Sequence, residues 1–281
     1  MLAVVAALVT VTAWASAFIG IRDAGEEISA GALSLGRLLV GSAALGLMVA
    51  IRREPLPARR DLPLIVLCGL LWFGLYNVAL NEAERHIDAG TAAMLVNVGP
   101  VLIALLAGVL LHEGFPRSLL TGSAIAFAGA IVIGLATSDG GLAASGGAAL
   151  CLVAALSYAG GVVSQKPVLA RVSALQVTFL ACTIGAIACL PFAPTLVDEV
   201  GDASGSAIRW TVYLGLVPTA LAFTTWAYAL SHTTAGRMGA TTYLVPPLAI
   251  LMAWLILDET PPALAIVGGA LCLVGVALAR R

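Results

Sequence analysis

Long apolar stretches separated by short polar loops run along the whole chain. Each is close to the roughly 20 residues that a helix needs to cross the hydrocarbon core of a bilayer. The stretches are continuous, whereas the strands of a membrane β-barrel give segments of about 10 residues with alternating hydrophobicity. The pattern therefore predicts an all-α integral membrane protein with ten spanning helices, at about 2–21, 29–51, 62–81, 89–111, 118–137, 147–165, 172–191, 209–230, 236–257 and 263–279.

Segments four and nine repeat one pattern at an offset of 146 residues. The same register continues into segments five and ten. The chain therefore divides into two five-helix repeats, 1–138 and 139–281, which meet in a Gly/Ser-rich stretch. The corresponding residues are Pro100 and Pro246, Glu113 and Glu259, Pro116 and Pro262, Gly122 and Gly268, and Gly129 and Gly275.

Five helices are an odd number, so the second repeat must cross the membrane in the opposite direction to the first. Such inverted-topology repeats are typical of secondary transporters. With both termini on the cytoplasmic side, ten Lys and Arg residues lie in cytoplasmic loops and at the C-terminus, against three on the outer side. This asymmetry is the one that the positive-inside rule describes, and it favours an N-in, C-in arrangement.

Composition supports membrane insertion and excludes several other classes. The sequence is 60% hydrophobic and 10% charged, whereas soluble domains carry about 25% charged residues. A net charge of −1 argues against a nucleic-acid partner. The five cysteines lie inside apolar stretches without metal-ligand spacing, so we interpret them as small packing residues and expect neither a metal site nor a cofactor.

Prolines fall near the middle of segments four and nine, at Pro100 and at Pro246 and Pro247. A proline lacks a backbone donor and leaves the carbonyl four residues earlier without its helical partner, here those of Val96 and Thr242. Because an unsatisfied backbone group in lipid costs several kcal/mol, we expect both breaks to face protein or a wet cavity. They predict either a central substrate site with gating helices or packing kinks.

Aromatic and amide side chains lie at similar depth in several segments. Tyr and Trp near helix ends commonly form interfacial belts, whereas deeper ones are candidates for the wall of a cavity. Such a cavity would be aromatic and largely uncharged, and would suit neutral or zwitterionic amphipathic molecules. The candidates are Trp14, Trp72, Tyr76, Asn77, Asn97, Tyr158, Trp226 and Tyr243.

Arg37 is the basic residue that lies well inside a predicted span. An intramembrane Arg costs a few kcal/mol on insertion scales, so we expect it to face the helix bundle or water. It could attract a substrate carboxylate or bond to carbonyls at a broken helix. For Glu113 and Glu259 the sequence favours a structural role at helix ends over proton transfer. The small residues of segments five and ten predict close helix packing, either within the chain or in a weak homodimer.

These features together resemble the drug/metabolite transporter superfamily, EamA type. The resemblance covers essentially the whole chain and rests on the five-plus-five arrangement, on Trp14-Ala15-Ser16, on Arg37, and on the repeated Pro…Glu pattern followed by a glycine-spaced helix. It implies an inverted-repeat bundle with a central cavity lined by Trp14, Tyr76, Asn97, Tyr158, Trp226 and Tyr243. The second repeat has Tyr158 and Ala181 where the first has Trp14 and Arg37, so we expect an asymmetric cavity.

The sequence therefore predicts a multi-pass transporter of a bacterial-type inner membrane. We expect it to export small amphipathic metabolites, amino acids first, by alternating access. Transport of drugs, nucleotide precursors or nutrients by the same fold is an alternative. An intramembrane enzyme acting on lipid-linked substrates is the alternative from another class, but the paired acids or acid–His clusters that it would need are not evident.

Overall fold

The computed structural model describes residues 1–83, 85–86, 95–137, 145–257 and 262–281. Within these ranges every regular element is helical. The elements are α1 (Leu2–Gly25), α2 (Ala30–Arg52), α3 (Leu62–Ala83), α4 (Gly99–Leu110), α5 (Arg117–Thr137), α6 (Ser145–Val168), α7 (Ala174–Ala188), α8 (Ala193–Asp202), α9 (Gly205–Ser231), α10 (Ala235–Thr241), α11 (Val245–Leu257) and α12 (Ala263–Ala279).

Six helices in the described part of the chain are long and apolar enough to cross a membrane, namely α1, α2, α3, α5, α6 and α9. A seventh span results if α7 and the helix that follows it, bent by 52°, are counted as one. The apolar helices α4 and α12 are shorter. The chain is therefore a multi-pass membrane protein, and the count of ten spans stays a prediction.

Two spans contain a π-helical stretch, Gly69–Leu75 in α3 and Gly215–Leu221 in α9. The two stretches have equal length and stand 146 residues apart, which is the offset of the sequence repeat. π-Helical turns are rare and often occur at functional sites. The 146-residue offset of the sequence therefore recurs in an unusual detail of the backbone.

Helices α5 and α12 pack against each other through glycines, with their chains running in opposite directions. A Cβ added at Gly129 would lie 2.6 Å from the carbonyl oxygen of Gly268, and one at Gly122 would lie 2.6 Å from that of Gly275. These backbones approach so closely that only small residues fit between them. The small residues that the sequence predicts to pack closely thus contact each other within the chain. A weak homodimer stays a prediction.

Helices α3, α4 and α6 form one group, and α1, α9 and α11 form another. Helices α2 and α7 lie between the two groups. Helix α6 packs against α3 and α4, while α1 packs against α9 and α11. Helices α2 and α7 contact each other, and they also contact the π-helical stretches of α9 and α3, respectively. The pattern of contacts in one group therefore recurs in the other.

The structure departs from the predicted boundaries after α7. The segment predicted at 172–191 ends as a helix at Ala188, because Pro191 follows in a short 3₁₀ turn. The next residues, which lie between two predicted segments, form the helix α8. Its Leu196 packs toward Gly36 of α2, whereas Val197 is 72% exposed.

Carboxylates join the loops at the end of the bundle that carries α8. Glu27 accepts hydrogen bonds from the backbone and the hydroxyl of Ser204, both at 2.6 Å, and Glu199 accepts from the backbone of Ser29 at 2.8 Å. Ser204 and Ser29 precede α9 and α2, so each N-terminus is tied to a carboxylate from the other repeat. The hydrogen bonds from Ser204 lower the pKa of Glu27 from its usual value.

An ion pair joins two loops at the opposite end of the bundle. Arg171 donates from Nε to Oδ1 of Asp61 at 2.9 Å, and its Nη2 contacts the same oxygen. Asp61 is 1% exposed and directly precedes α3. The hydrogen bond to Asp61 raises the pKa of Arg171 above its usual value.

Candidate functional site

An aromatic cluster occupies the centre of the largest apolar core, where α1, α3, α6 and α9 meet. The ring of Trp14 lies 5.1 Å from that of Trp226 and 6.0 Å from that of Trp72. The ring of Trp72 in turn lies 5.2 Å from that of Tyr158. The ring of Tyr76 lies 5.9 Å from that of Tyr158. Five of the predicted candidates therefore come together from both halves of the chain, namely Trp14, Trp72, Tyr76, Tyr158 and Trp226.

The π-helical stretches position this cluster. The indole nitrogen of Trp14 donates to the carbonyl oxygen of Pro218 in the stretch of α9, at 3.1 Å. Asn77, which follows the stretch of α3, donates through Nδ2 to two carbonyl oxygens within it, that of Phe73 at 2.8 Å and that of Trp72 at 3.3 Å. A π-helical turn disturbs the regular α-helical hydrogen bonding, and here side chains bond to its carbonyls. Asn77 thereby holds the backbone that carries the two rings.

One buried polar side chain on α6 and one on α9 find no hydrogen-bonding partner among the described residues. The indole nitrogen of Trp226 is one, and the side-chain amide of Gln165 is the other, at both of its polar atoms. Both residues are 0% exposed. A buried donor or acceptor without a partner costs about 1–3 kcal/mol, so these atoms are available to a polar ligand that reaches the core.

Tyr158 touches both of the predicted helix breaks. Its ring covers the start of α4, where a Cβ added at Gly99 would lie 2.6 Å from Cδ1 of the tyrosine. Its hydroxyl donates to Oγ1 of Thr242 at 3.5 Å. Thr242 begins the 3₁₀ turn Thr242–Leu244 that separates α10 from α11. The two breaks therefore approach each other around one side chain of α6.

The prolines occupy the first turns of new helices instead of the middle of kinked ones. Pro100 follows Gly99 at the start of α4, and Pro246 follows Val245 at the start of α11. Both prolines are buried, and Pro247 is half-buried beside Gly269 of α12. The expected free carbonyl of Thr242 is not found, because the 3₁₀ turn brings the N–H of Val245 to it.

Two predicted site residues lie apart from the aromatic cluster. Tyr243 is 0% exposed and packs in a separate core formed by α5 and α12, with its ring 6.4 Å from that of Phe127. Asn97 is half-buried in the turn that precedes α4. Glu259, the counterpart of Glu113, lies outside the described residues.

Arg37 faces the bundle, as expected for a basic residue within a span. It is 5% exposed and donates through Nε to Oγ1 of Thr219 at 3.1 Å. Thr219 belongs to the π-helical stretch of α9. The guanidinium thus joins α2 to the stretch whose Pro218 carbonyl receives Trp14.

Sequence reasoning missed Phe73 and Phe223, which complete the cluster with rings 4.3 Å apart. Phe223 also lies 4.8 Å from Trp72 and 5.2 Å from Trp14. Both residues are fully apolar, so nothing in their type separated them from lipid-facing phenylalanines. Sequence reasoning also missed the two π-helical stretches, although Gly69 and Gly215, which begin them, stand at equivalent positions. One stretch contains Phe73, and the other ends two residues before Phe223.

Two open cavities flank this core at opposite ends of the bundle. One of about 460 Å³ is lined by Glu113, Lys166, Arg237 and the turn between α9 and α10. The other, of about 400 Å³, is lined by Glu27 and by acidic residues of α8. Charged groups thus stand at the two ends, and the aromatic cluster stands between them.

Comparison with known proteins identifies the family of this chain. The model of the EamA-like transporter family matches residues 1–135 and 145–281. The chain belongs to the EamA-like transporter family. The two matched stretches cover nearly all of the chain.

Named relatives of this EamA-like transporter agree with that assignment. It is 41% identical to a probable terminal-alkyne amino-acid exporter of Streptantibioticus cattleyicolor, over 99% of this chain and 93% of the relative. It is 35% identical to the uncharacterized transporter YdfC of Bacillus subtilis, over 94% and 86% of the two chains. A probable amino-acid metabolite efflux pump of Salmonella typhimurium is 25% identical over 82% of this chain and 81% of the relative.

These relatives are transporters and not enzymes, which confirms the prediction of a transporter over an intramembrane enzyme. A crystal structure of another protein has the same fold, with a TM-score of 0.80 over 99% of this chain and 96% of that one. The sequence identity of that pair is 20%, so the likeness concerns the fold alone.

Proposed function

We propose that this EamA-like transporter exports amino acids and related amphipathic metabolites by alternating access. The observation that carries the proposal is the meeting of Trp14, Trp72, Tyr158 and Trp226 from four helices and both repeats. In this structure the rings contact one another. Substrate would enter when the two helix groups part and the rings separate around it.

The composition of the aromatic core fits such substrates. Aromatic rings bind apolar side chains and attract cations over their faces. The unpaired groups of Trp226 and Gln165 offer donors and an acceptor for a carboxylate or an amine. A zwitterionic amino acid with an apolar side chain combines these chemistries. Asn97 and Tyr243 stay predicted contributors, to be reached when the helix breaks move.

The names of the relatives direct the choice of substrate and direction. The relative at 41% identity is named for export of terminal-alkyne amino acids, and another for efflux of amino-acid metabolites. We therefore place amino acids with short apolar side chains, including terminal-alkyne ones, first among the substrates. The proposed location is a bacterial inner membrane.

The proposed architecture is ten spans in two inverted repeats, with both termini in the cytoplasm. Three observations support it: the 146-residue offset of the π-helical stretches, the antiparallel packing of α5 and α12, and the recurrence of contacts between the helix groups. Inverted repeats give two states of similar energy with opposite openings. Alternating access requires such a pair of states.

Flux measurements in proteoliposomes test the proposal. Vesicles loaded with a panel of radiolabelled amino acids, including a terminal-alkyne amino acid, should release at least one of them faster than protein-free vesicles do. The panel is repeated with and without a pH gradient. Release of none of the panel by folded protein would contradict the amino-acid assignment, and release of unrelated cationic drugs would favour multidrug transport.

A matched pair of tryptophan substitutions tests the position of the site. Trp226→Ala removes a 0% exposed ring from the centre of the cluster and should reduce flux at least tenfold. Trp254→Ala removes a ring that is 46% exposed on the surface of α11 and should leave flux within about twofold of the unsubstituted protein. Equal flux in both variants would place the site elsewhere.

A further inference from the structure

Helix α4 ends in a loop whose conformation is tightly held. His112 has a φ of +55° and Gly114 a φ of +70°, so the residues on both sides of Glu113 adopt left-handed conformations. A non-glycine residue in this region carries strain that the surrounding structure must offset. The backbone N–H of Glu113 returns to the carbonyl oxygen of Ala107 at 3.2 Å. The loop thereby fixes the direction of the Glu113 side chain.

The carboxylate of Glu113 binds the first turn of another helix. Its Oε1 accepts from the N–H of Ala235 at 2.8 Å, and its Oε2 accepts from the N–H of Gly236 at 3.1 Å. The N–H of Arg237, the next one in the first turn of α10, donates to the hydroxyl of Thr234 at 3.3 Å. Hydrogen bonds to a charged acceptor are about twice as strong as neutral ones, so most of this bonding depends on a residue from the other repeat.

Lys166 binds the opposite side of the same turn. Its Nζ donates to the carbonyl oxygen of Leu230 at 2.7 Å and to that of Thr233 at 2.6 Å. The Leu230 carbonyl belongs to the last turn of α9 and the Thr233 carbonyl to the turn that follows, where the helix dipole favours a cation. Lys166 belongs to α6, which packs against α4.

The turn between α9 and α10 is thus held at both ends by the group of α4 and α6. A carboxylate meets the positive end of one helix, and an ammonium meets the negative end of the other. Between these bonds the helices also touch, since a Cβ added at Gly239 of α10 would lie 3.1 Å from Cγ2 of Ile103 in α4. At this end of the bundle the helix groups are therefore joined by apolar packing and by four charge-assisted hydrogen bonds.

We infer that Glu113 and Lys166 form a latch that keeps this end of the transporter closed and that must release before it opens. The inference rests on the proposed alternating access. The two helix groups that the latch joins are the ones whose separation would part the aromatic rings. In the proposed orientation the latch lies on the cytoplasmic face, so it regulates the entry of substrate from the cytoplasm.

Distance measurements between two spin labels test the latch without any substrate. Labels are attached to Ala170→Cys beside the end of α6 and to Ser231→Cys at the turn, both exposed positions. The five native cysteines are buried free thiols, so the full chain can be labelled selectively. Glu113→Gln and Lys166→Met should each raise the ratio of molecules with the longer distance about tenfold, because each removes a charge from the latch.

Matched variants separate the latch from general loosening. Lys166→Arg keeps the charge and the donors and should restore the short distance, whereas Glu54→Gln removes a loop carboxylate outside the latch and should leave the distances unchanged. Unchanged distances in both Glu113→Gln and Lys166→Met, or an equal shift in Glu54→Gln, would overturn the latch. Absence of amino-acid flux from protein with an intact latch would instead contradict the proposed function.

Discussion

Individual residues in this transporter carry roles that their type alone does not reveal. Asn77 stays a predicted substrate contact, and in the structure its amide nitrogen donates to two carbonyls of a π-helical stretch. The sequence predicts a structural role for Glu113 at a helix end. In the structure that end is the start of α10 and not the end of its own helix, α4. A polar residue in an apolar span marks a place that needs hydrogen bonds, but the partner is set by the neighbouring helices.

Gln165 provides a test at the scale of a single residue. Its amide has no partner among the described residues and is 0% exposed, so Gln165→Leu should raise stability by about 1 kcal/mol. Thermal unfolding in detergent measures the change. The adjacent Ser164→Ala serves as control and should lower stability slightly, because the Ser164 hydroxyl donates to the carbonyl of Gly161 at 2.9 Å. A lower melting temperature for Gln165→Leu would show that the amide is bonded.

At the scale of helices, the apolar pattern located the apolar elements, but it missed α8 and the internal geometry of several helices. All ten predicted segments contain helix in their described parts, with ends within a few residues of the prediction for α1, α2 and α3. The π-helical stretches and the break before Val245 were not predicted as such. A π-helical turn adds a residue without changing the apolar content of a segment, so hydropathy cannot detect it.

The crossing of α5 and α12 supports a prediction at this scale. Gly129→Ala would place a Cβ 2.6 Å from one backbone oxygen and 2.7 Å from the nitrogen of Cys272. Neither atom can move without displacing α12, so we expect a loss of about 1–3 kcal/mol, measured by thermal unfolding. Gly146→Ala in α6 is the control, since a Cβ there meets no described atom within 4 Å. Equal stability of both variants would show that the crossing tolerates a wider spacing.

At the scale of the molecule, the distribution of basic residues predicts the orientation of the chain in the membrane, which packing alone does not. Ten Lys and Arg residues against three favour both termini in the cytoplasm. A membrane-impermeant maleimide should label Glu26→Cys in intact cells, but Arg59→Cys only after the membrane is opened; both native residues are exposed. The unsubstituted chain, with five buried thiols, is the control. The reverse labelling pattern would invert the orientation and place the latch on the outer face.

The sequence by itself determined the class of protein, the positions of its apolar segments and the 146-residue repeat, because insertion into a bilayer depends on local apolar content and a repeat is visible residue by residue. It also identified Trp14, Tyr76, Tyr158 and Trp226, since aromatic side chains deep in a span are few. Only the tertiary structure separated Tyr243 from that cluster, added Phe73 and Phe223, and joined Glu113 and Lys166 to the turn between α9 and α10. Which face a helix presents to its neighbours depends on crossings between segments far apart in the chain, and no local pattern records them.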